Sequence, residues 1–209
     1  MKKRLKSIIL CHIFLPFQAL AQTHTDDMNY WIEKYQSVSY PLKSIHISSS
    51  YGKRADPFTG KGRFHQGIDL EAKYEVVFAM FDAEIKRVGY DPMSGNFITL
   101  KAGNYTISYC HLSEIWVKED ELVYAGQELG RSGSTGRATG PHLHISCRLH
   151  GKIENPYHLL TFVRDTQLKA VDALGLNKDV KLSPEDFLRT YAPQAMKQQR
   201  KYGIPASVI

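Results

Sequence analysis

Residues 83–111 read AEIKRVGY, then DPMSG, then NFITLK, then AGN, then YTISYCH. Three short runs rich in Ile, Val, Phe and Tyr are separated by two stretches of turn residues. Asp91-Pro92-Met93-Ser94-Gly95 and Ala102-Gly103-Asn104 are hairpin connections, because Gly, Asn, Asp and Pro supply the backbone angles that tight turns need. The flanking runs Ala83–Tyr90, Asn96–Lys101 and Tyr105–His111 are therefore consecutive antiparallel strands. Leu143–Leu149 is a fourth run of the same kind.

Between them, Gly126 to Gly140 is punctuated by glycine and is read as a mobile or tightly turned loop. The expected fold is mainly β, a compact antiparallel β-sheet (sandwich-like) domain over residues 44–160 with helical N- and C-terminal extensions.

Outward from this core the pattern changes. Residues 22–43 are polar with a few aromatics. Thr25 followed by Asp26 and Asp27 suits the start of a short helix through Tyr35. After Pro156 the pattern turns helical, but residues 161–182 show little periodicity and are expected to be a linker. In the tail, 183–209, Ser183-Pro184-Glu185-Asp186 combines an N-cap residue, a first-turn proline and two acids, which announces a helix. Pro193 breaks or restarts it, and Gly203 is placed to end it.

The first residues give a different signal. Lys2, Lys3, Arg4 and Lys6 precede an apolar run from Ser7 to Leu20, which ends in Ala19-Leu20-Ala21. This is the layout of a secretory signal peptide, residues 1–21, cut before Gln22. The alternative is an N-terminal anchor helix, for which the apolar run is short. The expected destination is export to the periplasm, the extracellular space or the cell wall, with no membrane attachment after cleavage.

The signal also explains the charge. The chain has 27 Lys+Arg against 21 Asp+Glu, formally +6. Four of the basic residues lie in the signal, which leaves 23 against 21. The positive excess is thus mostly a targeting feature, and no nucleic-acid partner is expected. At 43% hydrophobic and 23% charged the chain is not disordered in type,. Three cysteines do not make a disulfide framework, and no period of 20 to 50 residues marks a repeat architecture.

The residues able to do chemistry are mostly histidines. His65 and Asp69 are four apart, which on one extended segment puts them on one face. His142 and His144 share a face of an apolar strand. His111 closes another strand. Two imidazoles and a carboxylate form a set that zinc accepts, and three protein ligands leave a fourth position open. The chain has no H-E-x-x-H, so it lacks that source of a glutamate base. Gly133-Ser134-Thr135-Gly136 is not followed by Gly-Lys-Ser/Thr, so the loop is read as a sharp turn before the H-x-H strand and not as a phosphate cradle. Cys110 and Cys147 lie at odd offsets from His111 and His144. In regular strands both would point away from the metal as small buried hydrophobes, and a disulfide between them stays open.

Three blocks together resemble the lysostaphin/LytM-type zinc metallopeptidases. The first is Ser49–Arg54, Asp56-Pro57-Phe58 and Phe64–Asp69. The second is Tyr109-Cys110-His111-Leu112-Ser113. The third, Gly133 to His144, is the most specific. The likeness covers about residues 45–157. It implies a secreted zinc endopeptidase hydrolysing peptide bonds in peptidoglycan stem peptides or cross-bridges, acting as a monomer with one zinc ion per chain. It implies His65, Asp69 and His144 as metal ligands, and His111 and His142 as the catalytic residues flanking the metal, with the choice of general base open between them. Ser146 stands where the family commonly has glutamate, and Tyr74-Glu75-Val76-Val77 replaces its usual Gly-Thr-Pro-Val. The alternative is a non-catalytic cell-wall-binding or hydrolase-activating module of the same fold. A β-domain with structural histidines is a further alternative and predicts no bound zinc. The segment Phe187–Ile209 resembles the start of a flagellar-type glucosaminidase domain, as though a bifunctional hydrolase had been truncated.

Overall fold

A computed structural model describes residues 26–176. The signal peptide at 1–21, the Ser183 helix start, Pro193, Gly203 and the glucosaminidase-like segment lie outside the described residues. An N-terminal helix, α1, spans residues 26–36, where Asp26 and Asp27 put negative charge at its positive end.

Among the described residues, thirteen short strands follow. The main sheet is built from β1 (Ile47–Ser49), β4 (Gly67–Glu71), β12 (His142–Leu149), β8 (Tyr105–Leu112), β7 (Gly95–Ala102), β6 (Ala83–Asp91) and β10 (Leu122–Val123), in that order, with β13 (Lys152–Glu154) paired to β12. The hairpins read at Asp91–Gly95 and Ala102–Asn104 join β6 to β7 and β7 to β8, and all these pairings are antiparallel. A second sheet holds β5 (Val76–Phe78), β11 (Glu128–Arg131) and β9 (Glu114–Ile115). A two-stranded ribbon pairs β2 (Gly52–Ala55) with β3 (Gly62–His65). The fold is thus the expected mainly antiparallel β architecture.

Strand alternation divides the main sheet into two faces. Ile68 and Leu70 of β4, Leu143, Ile145 and Cys147 of β12, Ile107 and Tyr109 of β8, and Ile98 and Leu100 of β7 fill the core. Val77 of β5 and Leu129 of β11 cover them from the second sheet. Each such aliphatic side chain contributes roughly 1.5–3 kcal/mol on burial. The opposite face carries Asp69, His142 and His144. Tyr109 is fully buried, and its hydroxyl accepts the Met80 backbone N–H at 3.2 Å. Tyr109→Phe leaves that donor unpaired in the core and is expected to destabilise the fold by about 1–3 kcal/mol, read as a lower urea midpoint. An unchanged midpoint would show that the hydroxyl is not holding the Met80 loop.

Two expectations need correction. Residues 161–182 are not a linker from their start, because α2 runs Tyr157–Ala173. Asn155 Oδ1 accepts the Tyr157 N–H, and Leu159, Leu160, Val163 and Ala170 pack inward. Gly175, at φ +70°, then closes the helix, with Leu176 N–H bonded to Val171 O. The period was obscured because Phe162 and Leu168 lie exposed, off the buried stripe. Cys110 does not point away from the site either. β7 advances two residues, Asn96 to Ile98, while β8 advances three, Tyr109 to Leu112. This bulge puts both Cys110 and His111 on the groove side,. Cys147 faces the core, so the two thiols sit on opposite faces of the sheet and are unpaired.

Candidate metal centre and groove

Strand register assembles most of the site. Asp69 of β4 lies directly opposite His144 of β12, with Glu71 opposite His142. His65 arrives differently. It ends β3 of the ribbon, and the chain changes sheets at Gln66, so His65 and Asp69 are not on one continuous strand as their spacing suggested.

The side chains still converge. His65 Nε2 is 3.2 Å from Asp69 Oδ1, His144 Nδ1 is 2.7 Å from the same oxygen, and the two nitrogens are 3.1 Å apart. A tetrahedral zinc with bonds near 2.05 Å separates its ligand atoms by about 3.3 Å. The three atoms therefore fit one small divalent ion, and they form a His/Asp group able to hold a metal among the described residues.

Backbone carbonyls set the tautomers. His65 Nδ1 donates to Ser50 O at 2.8 Å. A carbonyl can only accept, so the proton is on Nδ1 and Nε2 offers its lone pair to the ion. His142 Nδ1 donates to Gly140 O and His111 Nδ1 to Thr135 O, each at 2.8 Å. Both therefore also present a bare Nε2 when neutral. The His111 and His142 rings lie 4.7 Å apart, and His142 Nε2 is 3.6 Å from Asp69 Oδ1. His111 has φ +64°, a left-handed backbone that a non-glycine residue adopts only when the surroundings impose it,. The β8 bulge and the Thr135 bond impose it here.

Two glycines explain why side chains are absent at particular points. A Cβ on Gly67 would lie 2.3 Å from Ile145 O and 2.6 Å from the His144 ring, so the ring can lie across β4 only there. Gly136, at φ +69°, packs its Cα region against Gly95 at the β6–β7 tip. The glycine-rich loop thus does more than turn. It is braced on the hairpin, and Thr135 Oγ1 donates to Leu112 O.

Burial pushes His111 down to about 4, against the raising effect of its bond to Thr135 O. His144 is lowered as well, again chiefly by burial. Burial pushes Asp69 upward, but the bonds from His144 and His65 outweigh it and hold the carboxyl well below the usual range. Burial raises the Cys110 thiol to about 12 and Cys147 to about 11, so neither is a nucleophile near neutrality,.

The histidine shifts have a consequence for stability. Between pH 6.5 and about 4 the unfolded chain binds protons at His111 that the fold excludes, so stability falls as pH falls through that window,. The Asp69 contribution is lost only below its unfolded value of 3.8. In chelator, the urea midpoint at pH 5 is expected below that at pH 7.5, and His111→Gln is expected to flatten the slope. A midpoint that rises toward pH 5 would reverse this reading.

All five histidine and aspartate positions line one open groove of about 900 Å³. The groove also holds residues that the sequence motifs include without giving them a role. Arg54 Nη2 reaches Asp69 Oδ2 at 3.3 Å, and Asp56 is buried between Arg63 and Arg137. Arg54, Asp56 and Arg137 lie within the quoted blocks and Arg63 just before one, so their presence was visible and their grouping was not.

Residues 63–156 match the family described as Peptidase family M23. The catalytic domain of lysostaphin from Staphylococcus simulans is similar at 30% identity and a TM-score of 0.51, over 56% of this chain and 92% of that one. The chain belongs to peptidase family M23. A zinc-containing peptidase from Vibrio cholerae shares the M23 fold at 32% identity and a TM-score of 0.53, over 57% of this chain and 39% of that chain. Peptidoglycan DD-endopeptidase ShyC of Vibrio cholerae serotype O1 is 35% identical over 119 residues, 56% of this chain and 28% of ShyC. ShyA of the same organism is 37% identical over 120 residues. The chain spans about a third or less of the length of such curated relatives. Among the described residues, no helix of this M23 protein is long and apolar enough to cross a membrane.

Proposed function

We propose that this M23 protein is an exported zinc metalloendopeptidase that hydrolyses peptide bonds in peptidoglycan. The observation that carries the reading is the convergence of His65 Nε2, Asp69 Oδ1 and His144 Nδ1 within 3.2 Å of one another, in an open groove flanked by two more histidines. The names of ShyA and ShyC support peptidoglycan as the substrate. The peptidase unit comprises residues 44–160, with α2 packed on its core.

His65, Asp69 and His144 would hold the ion. When bound, zinc supplies Lewis-acid polarisation of a carbonyl and lowers the pKa of water toward about 7. The chain's own residues supply the rest. His111 and His142, each with its Nδ1 proton held by a backbone carbonyl, leave Nε2 as the free ring nitrogen in the groove beside the ligand set. One accepts the proton of the attacking water and returns it to the leaving amine. The other takes a proton from solvent onto Nε2 before the reaction, donates that N–H to the oxyanion of the tetrahedral intermediate as an imidazolium, and keeps it through the cycle. Two carbonyl-anchored rings 4.7 Å apart can share these tasks without moving. The burial of His111 keeps it neutral near pH 7, as a proton acceptor must be.

The test is mass spectrometry of muropeptides released from purified sacculi by the full chain, with and without chelator. New peptide termini that vanish with chelator are expected. Bound zinc without new termini from varied sacculi would instead support a wall-binding module.

A further inference from the structure

Arg54 and Arg63 are directly opposite each other across the β2–β3 ribbon. Like charges in that position repel, so an arginine pair there costs stability unless something compensates it. Two different carboxylates do so. Arg54 leans on Asp69 Oδ2, and Arg63 Nη1 bonds Asp56 Oδ2 at 2.9 Å. Arg137, from the glycine-rich loop, also bonds Asp56, at 2.9 and 3.1 Å, and stacks over the Phe58 ring at 4.4 Å.

The compensation is incomplete. Asp56 is saturated, since Oδ1 also accepts the Phe58 and Thr59 N–H groups and the Thr59 hydroxyl. One carboxylate thus serves two guanidinium groups. Asp69 would give its charge mainly to the ion. Arg137 Nε is buried with no partner, and Arg63 Nη2 meets only Met93 Sδ, a weak acceptor, at 3.5 Å,. Arg63 and Arg137 are still about half and a third exposed, on the lining of the same groove. The other charges on that lining, Glu71, Lys73 and Glu75, lie at and beyond the end of β4.

We propose that Arg54, Arg63 and Arg137 form a subsite for a free carboxylate on the peptide in the groove. Guanidinium forks suit carboxylates, and a partly desolvated one binds them more strongly than an exposed one. This rests on the peptidoglycan reading and sharpens it. The favoured substrates are acidic stem peptides, not neutral oligoglycine bridges.

The test uses the zinc-loaded full chain and two forms of a stem tetrapeptide, one with free carboxylates and one with every carboxylate amidated. Calorimetry is expected to show the acid binding roughly tenfold tighter than the amide, the effect of one charge-assisted contact. Arg63→Gln is expected to bring the two within about threefold, and Arg63→Lys to retain part of the preference. On a cross-linked stem dimer, Arg63→Gln should raise KM with little change in kcat. Equal binding of acid and amide by the unsubstituted chain would overturn the proposal, as would a preference that survives Arg63→Gln unchanged. An acid preference lost in Arg63→Gln, in a chain that releases no termini from sacculi, would leave the subsite standing and refute the hydrolase reading. Cleavage of stem and pentaglycine substrates with equal KM would do the reverse.

Discussion

His144→Ala is expected to lose stoichiometric zinc and to lower release of new peptide termini by at least about three orders of magnitude. That is the scale of the several kcal/mol of charge stabilisation a catalytic metal supplies. His144 Nδ1 is the ligand atom closest to Asp69 Oδ1, at 2.7 Å, and it also faces His65 Nε2. Its removal leaves two ligands on two different sheets with nothing between them. Chelation of the unsubstituted chain should reproduce the loss, and added zinc should restore activity there and not in the variant. Zinc should also raise the melting temperature of the unsubstituted chain. At free zinc a thousand times Kd the gain is about 4 kcal/mol. The core is on the other face of β12, so the His144→Ala fold should survive, with a chelator-independent melting temperature. A variant that keeps one zinc per chain would refute the ligand assignment.

The second large effect belongs to the flanking pair. His111→Ala and His142→Ala are each expected to lower kcat/KM by roughly 10²–10⁴ while zinc stoichiometry stays at one, because proton transfer is lost and the ligand set is not. Replacement of both should cost far less than the product of the two single losses, since they serve one reaction coordinate. The pH profile then assigns the roles. Removing the base abolishes the acidic limb of kcat/KM, and removing the oxyanion donor leaves that limb in place and lowers the plateau. His111→Ala keeps a Cβ at φ +64° and so relieves none of the left-handed strain, whereas His111→Gly would,. Loss of zinc in either single variant would move that histidine into the ligand set.

Much of the fold was legible in local sequence. The hairpin turns Asp91–Gly95 and Ala102–Asn104 and the alternating runs beside them specify antiparallel strands by backbone preference alone, and β6, β7 and β8 end within a residue or so of where the runs do. The H-x-H of β12 placed two imidazoles on one face, because strand alternation is a local property. The helical turn of the pattern after Pro156 was legible, but the continuation of α2 past residue 161 was not, since its buried stripe is interrupted by exposed apolar residues, and neither was the change of sheet at Gln66.

Local sequence specifies which residue types are present to hold an ion and which strands carry them. The tertiary structure alone decided that His65, Asp69 and His144 meet at one point, because that depends on register between β4 and β12 and on a ribbon leaving the main sheet. It also decided that Cys110 shares a face with His111, through a bulge that adds one residue to β8. It gathered three arginines from a ribbon and a distant loop around two aspartates, Arg63 and Arg137 on Asp56 and Arg54 on Asp69. Contacts of that kind join segments up to 81 residues apart, and no pattern of neighbouring residues encodes them.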